Sequence, residues 1–195
     1  MDRVRVRGAG AAAAAAGVAI GIGALKLGFD AIRGTVASFS EALDMGGRLS
    51  DLSARTGETA GKILVLERAF QNSGEGAEKV GPAINKMQRA IVEAGQGSET
   101  YKRAFDALGV SLDEIKEKTP TEQFQILAEK ISAIENPTER SAIAMQLLGK
   151  SGGELLPFLR NFSGELDNAK TELGGMPAIM DKYNGVFDTV SDKLA

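Results

Sequence analysis

Two short segments of the sequence resemble parts of phosphate-binding loops. Gly149-Lys150-Ser151 has the last three residues of a P-loop, in which backbone N–H groups and a lysine hold the phosphates of a nucleotide. The glycine that a P-loop needs five residues before Gly149 is Ala144 in this chain. The segment also follows a helical pattern rather than a strand. We therefore interpret it as the end of one helix and the beginning of the next.

The second segment, Val-Arg-Val-Arg-Gly-Ala-Gly at positions 4–10, has the form of the strand and turn that open a dinucleotide-binding fold. Asp30 lies about 20 residues after Gly10, where such a fold places the acid that binds the ribose. That fold needs further βαβ units, and no β-branched run typical of a strand follows in the sequence. Alternating arginines would also be wrong for a strand buried on both faces. These residues therefore do not indicate a nucleotide site.

Carboxylates are the main remaining candidates for chemistry, because the chain contains no histidine and no cysteine. These two absences exclude a Ser–His–Asp triad, a thiolate zinc site, an iron–sulfur cluster, a disulfide and a cysteine nucleophile. The acids of one segment lie among basic residues: Asp106, Asp113, Glu114 and Glu117 beside Lys102, Arg103, Lys116 and Lys118. No pair of acids lies in an apolar setting that would separate their pKa values, so we interpret the segment as a solvated surface. The sequence predicts that the protein is not an enzyme, and it indicates no cofactor and no metal ion.

Composition narrows the class of protein further. The 195 residues suffice for one ordinary domain or two small ones, and 43% hydrophobic with 25% charged residues is typical of a folded chain. The net charge of -3 argues against a protein that recognises nucleic acid through its phosphates.

The N-terminal region begins with Arg3, Arg5 and Arg7, followed by an uncharged run at residues 8–25 that is rich in alanine and glycine. Three interpretations stay open: a small-residue helix in a bundle, a membrane-active segment and a secretory signal. The run is slightly short and weakly apolar for a membrane span. The spacing of Gly17 and Gly21 permits close helix contact in lipid and in a soluble bundle alike. A signal peptidase would have to cut a continuous helical pattern, so the sequence favours the bundle helix.

A heptad pattern overlaps this run and continues beyond it, with apolar residues at alternating spacings of four and three. Its members, which we call the seam, are Val18, Ile22, Leu25, Phe29, Ile32, Val36, Phe39 and Leu43. Such spacing predicts a helix that pairs with another helix, from a second copy or from elsewhere in the chain. An amphipathic helix on its own domain core would show the same pattern. Gly46-Gly47 then predicts a hinge.

After this hinge, apolar stretches separated by capping residues predict a series of short helices and no strand. Thr56-Gly57, Gly109 and Gly149 indicate helix ends, while Thr59 and Asn136-Pro137 indicate helix starts. Thr119-Pro120 is interpreted as a further break of the chain.

The last apolar pattern follows Gly174-Gly175 and predicts another helix, with one face formed by Met176, Ile179, Tyr183, Val186 and Val190. No helix-stop signal precedes Ala195, so the chain is expected to be cut inside a longer rod. The fold class is therefore all-α, with three segments: a long Ala/Gly-rich helix at 1–45, a compact multi-helix region of hairpins at 46–173 and the start of a further helix at 174–195.

Several of these stretches, in their order along the chain, resemble the N-terminal region of bacteriophage or prophage tail tape measure proteins. The matching pieces are residues 8–25, 49–57 with the helix that follows, 104–111, 136–140 and 144–157. Each piece alone is a common type of helix boundary, whereas their order is fairly specific. Members of this family are normally several times longer. The resemblance therefore implies a fragment, a degraded prophage copy or a short relative. The many glycine and proline breaks predict compact helical hairpins, which would form the head end of the rod that measures tail length.

The resemblance implies a structural role in the virion. Proteins of this family lie as helical homo-oligomers inside the tail tube, and their length sets the length of the tube during assembly in the host cytoplasm. They associate with tail chaperones, tail tube and tail-tip proteins and are released at genome ejection. Some act at the host membrane, which residues 8–25 would contact. Two other functions stay open from the residues: a membrane-active helical protein that inserts residues 8–25, and a generic soluble helical interaction module.

Overall fold

The computed structural model describes Gly23 and residues 39–194, and the all-α fold class is confirmed for this part of the chain. No strand occurs within it. Residues 39–194 form ten α-helices: α1 (Phe39–Thr56), α2 (Ala60–Asn72), α3 (Val80–Gly95), α4 (Glu99–Leu108), α5 (Leu112–Lys116), α6 (Pro120–Ser132), α7 (Pro137–Leu148), α8 (Leu156–Arg160), α9 (Phe162–Leu173) and α10 (Met176–Leu194). Two short 3-10 helices, Ala77–Lys79 and Lys150–Gly153, precede α3 and α8.

Most helix boundaries follow the capping residues that the sequence predicts. Thr59 begins α2 by accepting a hydrogen bond from the backbone N–H of Lys62 at 3.3 Å. Asn136 begins α7 in the same way, accepting from two backbone N–H groups of the first turn. Gly109 ends α4 with a φ of 62°, a left-handed conformation that glycine adopts without strain. These boundaries depend on local chemistry, and the sequence therefore predicts them well.

Thr119 and Pro120 begin α6, whereas their sequence alone predicts only a break in the chain. The Thr119 hydroxyl accepts from the backbone N–H of Glu122, and the Glu122 carboxylate accepts from the backbone N–H of Thr119 at 2.8 Å. This reciprocal capping box satisfies two N–H groups that the helix leaves unpaired. The hydrogen bond from the Thr119 backbone also holds the pKa of Glu122 below its usual value.

The first and last described helices, α1 and α10, lie side by side and both pack on α2. The helix α1 runs through Gly46-Gly47 without interruption, so the predicted hinge is wrong. The reason is that Gly46 is a contact point for α10 rather than a flexible joint. The predicted helix after Gly174-Gly175 begins at Met176. The division into three segments stays a prediction, since most of residues 1–38 lie outside the described part of the chain.

The apolar core is continuous through the described helices, and four phenylalanines form its aromatic centre. Phe70 lies 4.5 Å from Phe158 between ring centroids, and Phe124 lies 5.4 Å from Phe162. These rings come from α2, α8, α6 and α9, so the cluster joins helices that are distant in sequence. The predicted helices do not include α9, although its buried residues are spaced four, three and four apart: Phe162, Leu166, Ala169 and Leu173.

Candidate functional site

The predicted seam lies only partly within the described residues. Phe39 is the first residue of α1, and Leu43 is half-buried and packs against the core. The other six members lie outside the described part of the chain: Val18, Ile22, Leu25, Phe29, Ile32 and Val36. The pairing of the full seam therefore stays a prediction.

The spacing of the seam continues into α1 at Gly46 and Ser50, both of which are buried. The ring of Phe187 from α10 lies against Gly46, and a Cβ atom at position 46 would overlap that ring. The face of α1 that continues the seam is thus turned toward α10. A glycine at such a position permits close approach of the neighbouring helix, which a sequence pattern alone cannot distinguish from a hinge.

A second glycine, Gly61 in the first turn of α2, also meets α10. Its backbone N–H donates a hydrogen bond to Asp181 Oδ1 at 2.6 Å, and a Cβ there would overlap the carbonyl oxygen of Pro177. The Thr59 hydroxyl donates to Asp181 Oδ2 at 3.2 Å. A carboxylate of α10 therefore caps the N-terminus of α2, where unpaired N–H groups and the helix dipole favour negative charge. We call this surface, formed by Gly46 of α1 with Thr59 and Gly61 of α2, the cradle.

Among the side chains of α10 that the structure describes, three are apolar and buried: Met176, Met180 and Phe187. Of these, the sequence pattern identified only Met176. Its other members Ile179, Tyr183 and Val186 are half-buried at the edge of the core, and the side chain of Val190 lies outside the described residues. The buried residues form a stripe beside the predicted one, and both stripes have helical spacing. Only the position of α1 and α2 decides which stripe faces inward.

A buried carboxylate, Glu58, lies in the turn between α1 and α2. It accepts hydrogen bonds from the backbone N–H and the hydroxyl of Thr121 and from the backbone N–H of Thr59, and it pairs with Lys62 Nζ at 3.3 Å. Burial alone would raise the pKa of Glu58, but the hydrogen bonds from Thr121 and Thr59 and the charge of Lys62 outweigh it, so the pKa lies below its usual value. Glu58 thus fixes the start of α6 to the turn beside the cradle.

A second buried carboxylate, Glu67 of α2, forms a two-pronged ion pair with Arg48 of α1. Arg48 Nη2 donates to Glu67 Oε2 at 2.9 Å, and Nη1 donates to Oε1. The glutamate side chain is buried, while the arginine is half-exposed. Two parallel hydrogen bonds fix the distance and the relative orientation of the Arg48 guanidinium and the Glu67 carboxylate. This pair therefore orients α1 on α2.

The other residues that could have carried chemistry lie in ordinary structural positions. Gly149 ends α7 with a φ of 93°, and the 3-10 helix Lys150–Gly153 follows directly. This agrees with the prediction that one helix ends and another begins at Gly149-Lys150-Ser151. All four acids of the 102–118 segment are exposed: Asp106, Asp113, Glu114 and Glu117. Within the described residues, no three acidic side chains come together as a group that could hold a metal ion.

An open groove of about 330 Å³ lies between α4 and α7. Alanines 104, 107 and 142 line it together with the oppositely charged Arg103 and Glu139. Gln146, from the same lining, donates a hydrogen bond across the two helices to the carbonyl oxygen of Thr100 at 2.7 Å. The groove is thus closed at one point by a direct link between its walls, and it contains no arrangement of groups that indicates catalysis.

No family model, no curated protein and no solved structure matches this chain. Among the described residues, no helix is long and apolar enough to cross a lipid bilayer. Residues 8–25, for which the sequence leaves membrane contact open, lie outside that search apart from Gly23.

Proposed function

We propose that this chain is a segment of a bacteriophage tail tape measure protein, a structural protein that sets the length of the tail tube during assembly and leaves the virion at genome ejection. The proposal draws on the order of the resembling segments along the sequence. One structural observation carries it further: α1 and α10 lie side by side and antiparallel. The helices between them in sequence form the folded body, and the start of α1 and the end of α10 point the same way.

The antiparallel arrangement follows from two contacts at different heights. Asp181, near the start of α10, contacts Gly61 just beyond the end of α1. Phe187, later in α10, contacts Gly46 in the middle of α1. The start of α1 and the end of α10 therefore point the same way. The predicted seam leads into α1, so a helical stem that carries a folded body is the architecture that this geometry favours.

The dimensions separate this body from the ruler itself. A single helix rises 1.5 Å per residue, so residues 39–194 would span about 230 Å if they formed one helix. The longest described helix, α10, has 19 residues and spans roughly 29 Å. The described region is folded back many times. In the proposed function it serves as the head of the rod, and the length of the tail is set by other parts of the protein.

The partners in this proposal are other copies of the chain, through the seam, and the tail tube, tail-tip and tail chaperone proteins. The protein acts inside the tail tube of the virion and, during assembly, in the host cytoplasm. Contact of residues 8–25 with the host membrane at ejection belongs to the same proposal. The role requires no cofactor and no catalytic residue.

The test is made in a phage or prophage that carries this reading frame. A stop codon early in the frame is expected to abolish tails or to give tails of irregular length in electron micrographs. Complementation with the intact gene should restore uniform tails. The Phe124→Ala variant, which opens the aromatic core, should fail to restore them, whereas Glu135→Gln on the exposed surface should succeed.

Mass spectrometry of purified virions provides the second measurement. Peptides from residues 39–194 should be present before triggered ejection and depleted afterwards. Uniform tails of normal length in the absence of the protein would overturn the proposal and leave a generic helical interaction module. Flotation of the full chain with liposomes, set against a chain lacking residues 8–25, separates the membrane-active function from both.

A further inference from the structure

We propose that the cradle accepts α10 from a second copy of this chain, so that neighbouring copies exchange this helix. The surface is the one formed by Gly46, Thr59 and Gly61, and the occupant is the segment of the second copy that carries Asp181 and Phe187. This inference concerns the assembly of the chain with itself. It stands apart from the seam and does not depend on a role in phage tails.

The cradle is shaped for α10 at two separate places. Gly46 leaves room for the Phe187 ring, and Gly61 leaves room for the Pro177 carbonyl and the Asp181 carboxylate. At the second place the fit includes directed hydrogen bonds, from the Gly61 N–H at 2.6 Å and from the Thr59 hydroxyl at 3.2 Å. A displaced α10 would expose Met176, Met180 and Phe187. The surface that matches this face in shape and hydrogen bonding is another cradle, which identifies the occupant as a second copy.

Two glycines alone connect α9 to α10. Gly174 and Gly175 are both exposed, and a Cβ atom at either position would have no neighbour within 4 Å. Gly174 has a φ of 51°, which interrupts the helix and lets α10 turn back toward α1 and α2. The main contacts of α10 are with α1 and α2 rather than with α9. If both glycines became helical, α9 and α10 would form one helix of roughly 50 Å that carries α10 away from its own cradle.

In the closed form α10 fills the cradle of its own chain, and in the exchanged form it fills the cradle of a second copy. The two forms make the same contacts in the cradle and differ only at the connection between α9 and α10. Exchange of identical elements is a low-cost route to assembly for that reason. A short linker holds α10 at an effective concentration on the order of millimolar beside its own cradle. Exchange with the native glycines is therefore expected at comparable protein concentrations or where copies are already held side by side.

The chain contains no cysteine, so two introduced cysteines can report which copy fills the cradle. In Gly46→Cys/Phe187→Cys, the two Cβ atoms would lie roughly 4 Å apart or less, since a Cβ at position 46 overlaps the Phe187 ring. After oxidation, the closed form gives a monomer with an internal disulfide on a denaturing gel, and the exchanged form gives a covalent dimer. Copies associated through the seam alone run as monomers on the same gel.

Substitutions at Gly174 and Gly175, between α9 and α10, provide the decisive comparison. Adding Gly174→Ala/Gly175→Ala strains the closed turn and favours a continuous helix, so the ratio of covalent dimer to internally bridged monomer should rise roughly tenfold or more. Gly109→Ala is the matched control. Gly109 also ends a helix with a positive φ of 62° in open space, but it lies between α4 and α5. This control should leave the ratio unchanged.

A second pair, Thr59→Cys/Asp181→Cys, joins side chains whose oxygens lie 3.2 Å apart and serves if the first pair fails to fold. The proposal would be overturned if only internally bridged monomer formed at every concentration up to millimolar, both with Gly174 and Gly175 and with alanine at these positions. The absence of any disulfide in both folded pairs would overturn it as well, because α10 would then not occupy the cradle. Covalent dimer that increases with concentration and with alanine at these two positions would support it.

Discussion

Glu58 and Thr121 join the turn after α1 to the start of α6, across 63 positions of sequence. The Glu58 carboxylate accepts hydrogen bonds from the Thr121 backbone N–H at 2.8 Å and from its hydroxyl at 2.6 Å. Glu58 is 2% exposed, so these bonds replace the water that a charged carboxylate would otherwise hold. The pair fixes α6, and with it the aromatic ring of Phe124, relative to the turn that precedes α2.

Replacing this carboxylate should lower stability in a pH-dependent way. Because the pKa of Glu58 in the folded protein lies below its ordinary value of 4.5, its contribution is fully present above that pH and is lost as the pH falls through the folded-state pKa. Glu58→Gln should lower the free energy of unfolding by ~1–3 kcal/mol at pH 7. Urea unfolding between pH 7 and pH 3 should show this difference shrinking in acid.

The exposed Glu135→Gln serves as the control for this series, with little effect at any pH. A Glu58→Gln penalty that stays constant down to pH 3 would show that the carboxylate's charge is not what the structure uses.

Two glycines in the α1–α10 pair should respond to alanine with opposite signs. Gly185 lies in α10 with open space around its Cβ direction, so Gly185→Ala should raise the free energy of unfolding by up to about 1 kcal/mol through helix propensity. Gly46 lies in α1 against the Phe187 ring, so Gly46→Ala should lower it by about 1–3 kcal/mol through overpacking. Chemical denaturation measures both.

Adding Phe187→Leu to Gly46→Ala should recover part of the loss, which a double-mutant cycle would report as a coupling energy. If both alanine variants stabilised the protein, Gly46 would be an ordinary helical glycine and α10 would not lie against it.

Two arginine–glutamate pairs on α2 should differ strongly in their contribution to stability. Arg48→Met leaves the buried Glu67 carboxylate without its partner and should lower the free energy of unfolding by about 3 kcal/mol. Arg68→Met breaks an exposed pair with Glu172, 2.6 Å long, and should cost less than about 1 kcal/mol. Replacing both members of the buried pair, as Arg48→Met/Glu67→Met, should be milder than Arg48→Met alone. Equal losses for the two arginine variants would contradict this assignment of burial.

The parts of the fold that the sequence predicts correctly are those decided within a few residues. Thr59, Asn136 and Gly109 act at helix ends through their own side chains or backbone freedom, and each lies where its chemistry indicates. The helix α9 carries an equally clear pattern of Phe162, Leu166, Ala169 and Leu173 but was not predicted. The spacing of these four residues was sufficient to predict the helix, and its Phe162 completes the phenylalanine cluster of the core.

The cradle could not be predicted in the same way, because its parts are far apart in sequence. Gly46 and Phe187 lie 141 positions apart, and neither has a local feature that identifies the other. Gly-Gly in an otherwise helical pattern is compatible with a hinge and with a close helix contact, and the choice depends on what packs there. The same reason explains why Met180 and Phe187 are buried, whereas Ile179 and Val186 lie half-buried at the edge of the core.

The seam makes the prediction that concerns assembly. Phe29→Asp/Phe39→Asp places two charges at seam positions and should convert an oligomer of the full chain to monomer, because a charge in a helix–helix interface is costly to bury. Sedimentation velocity measures the change. Ala31→Asp/Ser38→Asp adds the same charge at heptad positions off the seam and should leave the oligomer intact.

The structure also indicates an alternative to this result, in which the seam packs within its own chain. Leu43, the last seam residue, packs on the core of its own chain, and the continuation at Gly46 faces α10. If Phe29→Asp/Phe39→Asp lowers the free energy of unfolding and leaves the sedimentation coefficient unchanged, the seam is internal packing along its whole length. If the oligomer dissociates while residues 39–194 stay folded by circular dichroism, the seam changes partner along its length. Residues 18–36 would then pair with another copy, and the helix would meet α10 from Leu43 onward.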